Sequence, residues 1–174
     1  ITFDRDKEGS LVTAITAKKS VQLVDIVSTR MLGQYGFLGR VFQAFDRWEV
    51  SVDVIASSEV SLSLTLDQKQ TERIASLKGL LNDLGEFSDV QLYDERAIIS
   101  LISNVKRAAE TMAITFKVME KLGVKLEMLS QGASKVNISL VVKMKDKDRL
   151  IKALHACFFE GVNPDDLNKD SYSN

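Results

Sequence analysis

Two stretches of the chain run in parallel: VSVDVIASSEVSLSLTL, from Val50 to Leu66, and VKLEMLSQGASKVNISLVV, from Val124 to Val142. Each opens as an alternation of apolar and polar residues, the pattern of a half-buried strand. Each holds an acidic residue in its fourth place, Asp53 in one and Glu127 in the other. Each breaks at small polar residues and resumes as Val, polar, apolar, Ser, Leu. A strand pair written twice marks an internal repeat.

The flanks extend it. A shift of 74 residues lays Leu38 on Met112, Phe42 on Phe116, Phe45 on Met119 and Asp53 on Glu127. In the first half, a strand over residues 21–28 leads through TRMLGQYG (29–36) into a helix with Leu38, Val41, Phe42 and Phe45 at spacings of three and four. After the strand pair, a helix places Ile74, Leu77, Leu81 and Leu84 on one face, with Asp67 as its N-cap and Gly85 at its end. A short strand, residues 89–93, closes the half. The second half repeats the order: a strand over 97–103, a helix with Met112, Thr115, Phe116 and Met119 stopped by Gly123, the strand pair, and a helix with Leu150, Ile151, Leu154 and Phe158.

The first half therefore reads βαββαβ and the second βαββα, one strand short. A spare N-terminal strand, residues 11–18, fills the gap, because an unpaired apolar strand and an incomplete sheet are both unfavourable. The expected fold is α+β: two ferredoxin-like βαββαβ units, each an antiparallel sheet with two helices on one face, the first inserted in the second. The expected boundaries are 20–94 for the first unit and 11–18 plus 96–160 for the second, with 1–10 and the polar tail 161–174 as flexible ends. Units of this size have marginal cores alone, so docking of the units and dimerisation are expected to add burial.

Composition narrows the function. The 174 residues are 45% hydrophobic and 27% charged, with a net charge of −1. That is globular composition without general attraction to nucleic acid or an anionic membrane. One cysteine, Cys157, gives no disulfide framework and fits a reducing compartment. No apolar run is long enough to span a bilayer, and no signal or transit segment is evident. His155, the only histidine, and Cys157 read as ordinary residues of the last helix. No zinc spacing and no Walker loop is present, so no catalytic residue is assigned. GQYG (33–36) matches a GxxG element of RNA-binding modules, but it lies between strand and helix without basic flanks, and the strands lack exposed aromatics.

A small ligand fits better. The first strand-to-helix loop is rich in glycine, whereas its counterpart, SNVKRAAETM (103–112), has none. Glycine permits tight turns and leaves amides uncovered, and amides at a helix N-terminus suit a carboxylate or phosphate. Gly36, Phe37 and Leu38 thus form an anion cradle. Asp53 follows on the next strand, and Ser57, Ser58 and Glu59 at the turn after it. Two carboxylates and two hydroxyls beside an anion cradle suit an amino acid, best a diamino acid. The same residues also read as solvated strand ends.

MLGQYGFLGRVF (31–42), VSVDVIASSEVSLSLTLD (50–67) and LSQGASKVNISLVV (129–142) closely resemble the C-terminal regulatory region of aspartate kinase, in its lysine-sensitive, plant-like, monofunctional form. The resemblance runs from about Val12 to Glu160, and LHACFFE (154–160) matches its usual end. It implies a pair of ACT domains, small amino-acid-sensing modules, the first inserted in the second. It implies a parent that phosphorylates aspartate with ATP and Mg in a kinase domain preceding this region, so that this part alone is inactive and needs no cofactor. Lysine is implied to bind the first ACT domain near a homodimer interface and to inhibit the kinase, with S-adenosylmethionine acting beside it in some members. Carried over by position, the lysine site comprises Met31, Gly33, Gln34, Tyr35, Gly36, Phe37, Leu38, Ser51, Val52, Asp53, Ser57, Ser58 and Glu59. The amides take the carboxylate; Asp53 and Glu59 are the ammonium partners. ASSE (56–59) departs from the common TSE. QGASKVN (131–137) in the second domain is read as interface. The rival readings are a threonine-sensing relative and a dimerising module without an effector. The compartment is cytoplasm, or plastid stroma in a photosynthetic eukaryote.

Overall fold

The computed structural model describes residues 10–28, 35–67, 74–133, 136–168 and 172, without the side chains of residues 74 and 75. In chain order the elements are β1 (Val12–Val27), α1 (Phe37–Arg47), β2 (Val52–Ser57), β3 (Ser61–Asp67), α2 (Ile74–Gly85), β4 (Asp89–Ser103), α3 (Ala108–Leu122), β5 (Met128–Gln131), β6 (Asn137–Lys143) and α4 (Lys147–Phe159). The strand order is β2-β3-β1-β4-β6-β5. The chain divides into two compact units: residues 20–96, and the chain up to Lys19 together with everything from Ala97 onward.

The strands read as pairs, 11–18 with 21–28 and 89–93 with 97–103, are each continuous. β1 runs 16 residues and β4 runs 15. The punctuation is a single left-handed residue in each, Ser20 (φ 54°) and Glu95 (φ 56°). One such residue bends a strand without ending it, and sequence alternation cannot distinguish that bend from a turn. Both bends lie within two residues of a boundary between the units.

In the unit of residues 20–96, alternate strand residues Val24 and Ile26 of β1 and Leu62, Leu64 and Leu66 of β3 meet Val41 and Phe45 of α1 and Leu80 and Leu84 of α2. Full burial of each such side chain is worth about 1.5–3 kcal/mol. The apolar faces of the helices are rotated from the expected ones. On α1 the core residues are Phe37, Val41, Ala44 and Phe45, while Leu38 and Phe42 stay at the surface. On α2, Leu80 rather than Leu81 is fully buried. The cause is Gly79: a Cβ there would lie 2.2 Å from the Trp48 ring. Trp48 drops into that gap and its Nε1–H donates to Asp83 Oδ2 (2.9 Å), which Arg47 also reaches (2.9 Å). Asp67 is the last residue of β3, opposite Val21, rather than a described helix cap; the chain between it and Ile74 lies outside the described residues.

In the other unit, Ile99 and Leu101 of β4 and Ile138, Leu140 and Val142 of β6 meet Val118 and Leu122 of α3 and Leu150, Ala153 and Leu154 of α4. The start of β1 belongs here. The Asn104 amide donates to the Leu11 carbonyl (2.9 Å), and the hydroxyls of Thr13 and Thr111 donate to Ile102 and Leu11. The tail departs from expectation. Gly161 turns left-handed after α4 (φ 74°), and Asn163 caps a short turn at Pro164–Asp166. Leu167 is then buried in the core, with Val162 and Tyr172 packed against it. Asp165 meets Lys117 (3.3 Å) and Lys121 (3.5 Å) of α3. Three apolar residues suffice to anchor a segment whose polarity suggested disorder.

Candidate functional site

The repeat holds at the level of single hydrogen bonds. Ser28 directly follows β1, and its amide donates to the Val60 carbonyl (2.9 Å); β4 ends at Ser103, whose amide donates to the Val136 carbonyl (2.7 Å). In both units this bond ties the end of one strand to the turn between the two that follow.

Beyond this bond the connections differ. After Ser28 the first passes through residues 29–34, so the expected contacts of Met31, Gly33 and Gln34 lie outside the described residues. It returns at Tyr35, fully exposed, and at Gly36, left-handed at φ 85°. Gly36 is the N-cap of α1 and offers no side-chain cap. Its carbonyl takes the Arg40 amide (3.0 Å), while the first amides of the helix point away from the helix body. Phe37 is buried, with its ring edge-on to Phe87 (5.7 Å). It anchors the helix start, and any ligand contact falls to its amide. Leu38 is exposed. The second connection is satisfied from within. The Asn104 side chain accepts the Lys106 amide (3.0 Å), a short turn covers Val105–Arg107, and Glu110 in the first turn of α3 is held by Arg107 (2.7 and 2.8 Å). That ion pair holds the Arg107 guanidinium pKa above its ordinary value.

Ser51, just before β2, and Asp53 and Ser57 on it are exposed, and Val52 is half-buried against the core. The ladder with β3 carries a bulge between Val52 and Ile55, which places Asp53 in it. Thr65, fully buried, accepts the Val54 amide there (3.0 Å). Ser58 holds the β2–β3 turn: its hydroxyl takes the Ser61 amide (3.1 Å) and shares a bond with the Ser61 hydroxyl (2.7 Å). Glu59 is exposed on that turn, next to the Val60 that bonds Ser28. The turn bearing Ser58 and Glu59 is thereby fastened to the strand end from which the glycine loop departs. Sequence reasoning missed Thr65 and Phe87, and also a cleft of about 300 Å³ at the same end, lined by Val27, Ser28 and residues 85–89. Thr65 lies on the face of β3 opposite Leu62, Leu64 and Leu66, where the alternation offered no signal that it would be buried.

The catalytic candidates stay bland. His155 Nδ1 lies 2.9 Å from Glu160 on an exposed helix end. Burial pushes the Cys157 thiol pKa up, away from a thiolate. Among the described residues no group of three or more His, Cys, Asp or Glu is placed to hold a metal ion. No described helix is long and apolar enough to cross a membrane.

The sequence matches the family model described as ACT domain over residues 24–75 and 99–158. The chain belongs to the ACT domain family. This ACT-domain chain is 45% identical over 166 residues to aspartokinase 2, chloroplastic, of Arabidopsis thaliana. The match takes in 92% of the chain and 30% of that relative, so the chain spans under a third of the curated protein's length. Among solved structures, it is similar to aspartokinase III of Escherichia coli in complex with lysine and aspartate in the T-state. The TM-score is 0.74 at 28% identity, covering 88% of this chain and 34% of that one. It shares its fold with the regulatory subunit of aspartate kinase from Thermus thermophilus, with a TM-score of 0.72 at 20% identity, covering 86% of this chain and 99% of that one. The two ACT domains are of the aspartokinase regulatory type, the first inserted in the second.

Proposed function

We propose that this chain is the allosteric part of an aspartate kinase and that its first ACT domain, residues 20–94, binds L-lysine. The second, 11–18 with 96–160, serves as scaffold and interface. The observation that carries this is the uncapped start of α1 at left-handed Gly36, in the repeat that also carries Asp53 and Glu59 on β2 and its turn. Amides at a helix N-terminus favour a carboxylate; exposed acids on the neighbouring strand favour ammonium groups. Lysine carries one carboxylate and two ammonium groups. The lysine in the E. coli complex supports the same ligand class. Lysine would bind one arrangement of a homodimer better than another and shift that equilibrium, which a kinase domain elsewhere in the full protein reads as inhibition. The chloroplast name of the plant relative supports a plastid location.

Calorimetric titration with L-lysine, with L-threonine as control, tests the reading. Saturable lysine binding near one site per chain, with threonine silent, is the expected result. A response to threonine alone discards the side-chain role of Glu59; silence to both leaves a dimerising module without an effector.

A further inference from the structure

The two ACT domains differ at one buried position whose chemistry makes sense only through its neighbour. In the first, Val52 faces Leu66 and Ile55 faces Leu64, so Asp53 and Val54 together oppose Thr65. In the second, Met128 faces Val141, Leu129 faces Leu140, Ser130 faces Ser139 and Gln131 faces Ile138, and the Glu127 amide also donates to the Val141 carbonyl (2.9 Å), so Glu127 and Met128 both meet Val141. The turn is two residues longer there, so Leu62, Leu64 and Leu66 match Ile138, Leu140 and Val142, and Thr65 matches Val141. Thr65 and Val141 are both fully buried. The two side chains have nearly the same shape and differ by one hydroxyl.

A buried hydroxyl is costly unless it is hydrogen-bonded. The Thr65 hydroxyl accepts the Val54 amide at 3.0 Å, at the point where the bulge disrupts the regular ladder. Val141 meets the matched residues Glu127 and Met128 without a hydroxyl, so the side-chain bond that Thr65 makes has no counterpart at Val141. A bulge re-aims the side chain it carries, and the exposed residue carried here is Asp53. We infer that Thr65 is a positioning residue for Asp53, fixing through the Val54 amide the direction in which that carboxylate meets an ammonium ligand. The inference rests on the lysine reading of the first ACT domain for its consequence, but not for its geometry.

The test uses Thr65→Val, which installs the residue the second repeat already tolerates, and Thr65→Ser, which keeps the hydroxyl. Thr65→Ala, also without the hydroxyl, replaces the first should it not fold. Two readouts are taken on each: lysine affinity by calorimetry, and, without ligand, the exchange rate of the Val54 amide with the carboxyl-carbon NMR signal of Asp53. Thr65→Val is expected to stay folded, to lose roughly tenfold in lysine affinity, to exchange the Val54 amide faster and to move the Asp53 signal; Thr65→Ser is expected to match the parent in all three. Should the parent itself ignore lysine, the effector reading falls, and the NMR readouts still decide the role of Thr65. An unchanged Val54 exchange rate and Asp53 signal in the variant without the hydroxyl overturn the inference, as does parental lysine affinity in that variant.

Discussion

In the first ACT domain, α1 starts at a left-handed glycine with no side-chain cap; in the second, α3 is approached through a turn capped by Asn104, and its first turn holds Glu110. The strands bearing the matched acids differ by one hydroxyl: the Val54 amide beside Asp53 bonds the Thr65 side chain, while the Glu127 amide bonds the Val141 backbone (2.9 Å). The cores meanwhile stay alike: Leu62, Leu64 and Leu66 of β3 match Ile138, Leu140 and Val142 of β6, and Ser28 and Ser103 make the same bond. Duplication therefore kept the parts that bury apolar surface and varied the parts that decide whether a helix end is satisfied from within. The cores also differ in one crossing. Gly79 accepts the Trp48 ring in the first domain, while the residue matched to Trp48 in the second is the buried Leu122.

The largest expected effect breaks the comparison on the side of the second domain, which has a tail where the first continues into β4. Leu167→Ala removes a buried anchor and is expected to cost about 2–3 kcal/mol, read as a lower denaturant midpoint at unchanged slope, with local exchange increases in α3 and α4 rather than α1. Next, Asp53→Ala is expected to lower lysine affinity roughly 10- to 100-fold, through loss of a charge-assisted hydrogen bond worth about 1.5–3 kcal/mol. The matched Glu127→Ala is expected to leave affinity unchanged, and calorimetry on both variants sharpens or breaks the asymmetry of the repeats.

The smallest effect concerns the charges that fasten the tail. Hydrogen bonding and attraction to Lys117, with Lys121 adding to it, hold the Asp165 carboxyl below its ordinary 3.8. Asp165 in turn holds the Lys117 ammonium above its ordinary 10.5. A depressed carboxylate stabilises the fold above its unfolded value and loses that contribution as pH falls through the lower folded value. A raised ammonium stabilises below its unfolded value and loses it as pH rises through the folded one. The parent should therefore exceed Asp165→Asn in melting temperature by a small, salt-sensitive margin through neutral pH, lost as pH falls below 3.8 and as it rises above 10.5. Thermal melts across pH at low and high salt would check it.

Much of the fold was legible because repetition supplies its own control: Leu38 on Met112 and Asp53 on Glu127 align without any structure. The helix faces were less so, since Leu81 and Leu80 fit a helical period almost equally well, and only the Trp48–Gly79 contact sets the rotation. The glycine at position 36 was legible as a turn, because only glycine holds φ 85° without strain. Thr65 did not announce its bond, because its partner Val54 lies on the other strand of the pair and the residue looks like any other strand threonine.

The order of elements, the duplication and the glycine at the start of α1 were determined by the sequence itself, since periodicity and glycine placement are local properties of the chain. The tertiary structure alone decided that β1 and β4 run on through left-handed Ser20 and Glu95, that the tail docks through Leu167, and that Asp53 stands in a bulge opposite Thr65. Each of those depends on which groups come to face one another across the fold, and burial and hydrogen-bond satisfaction at such contacts are not written in any single stretch of chain.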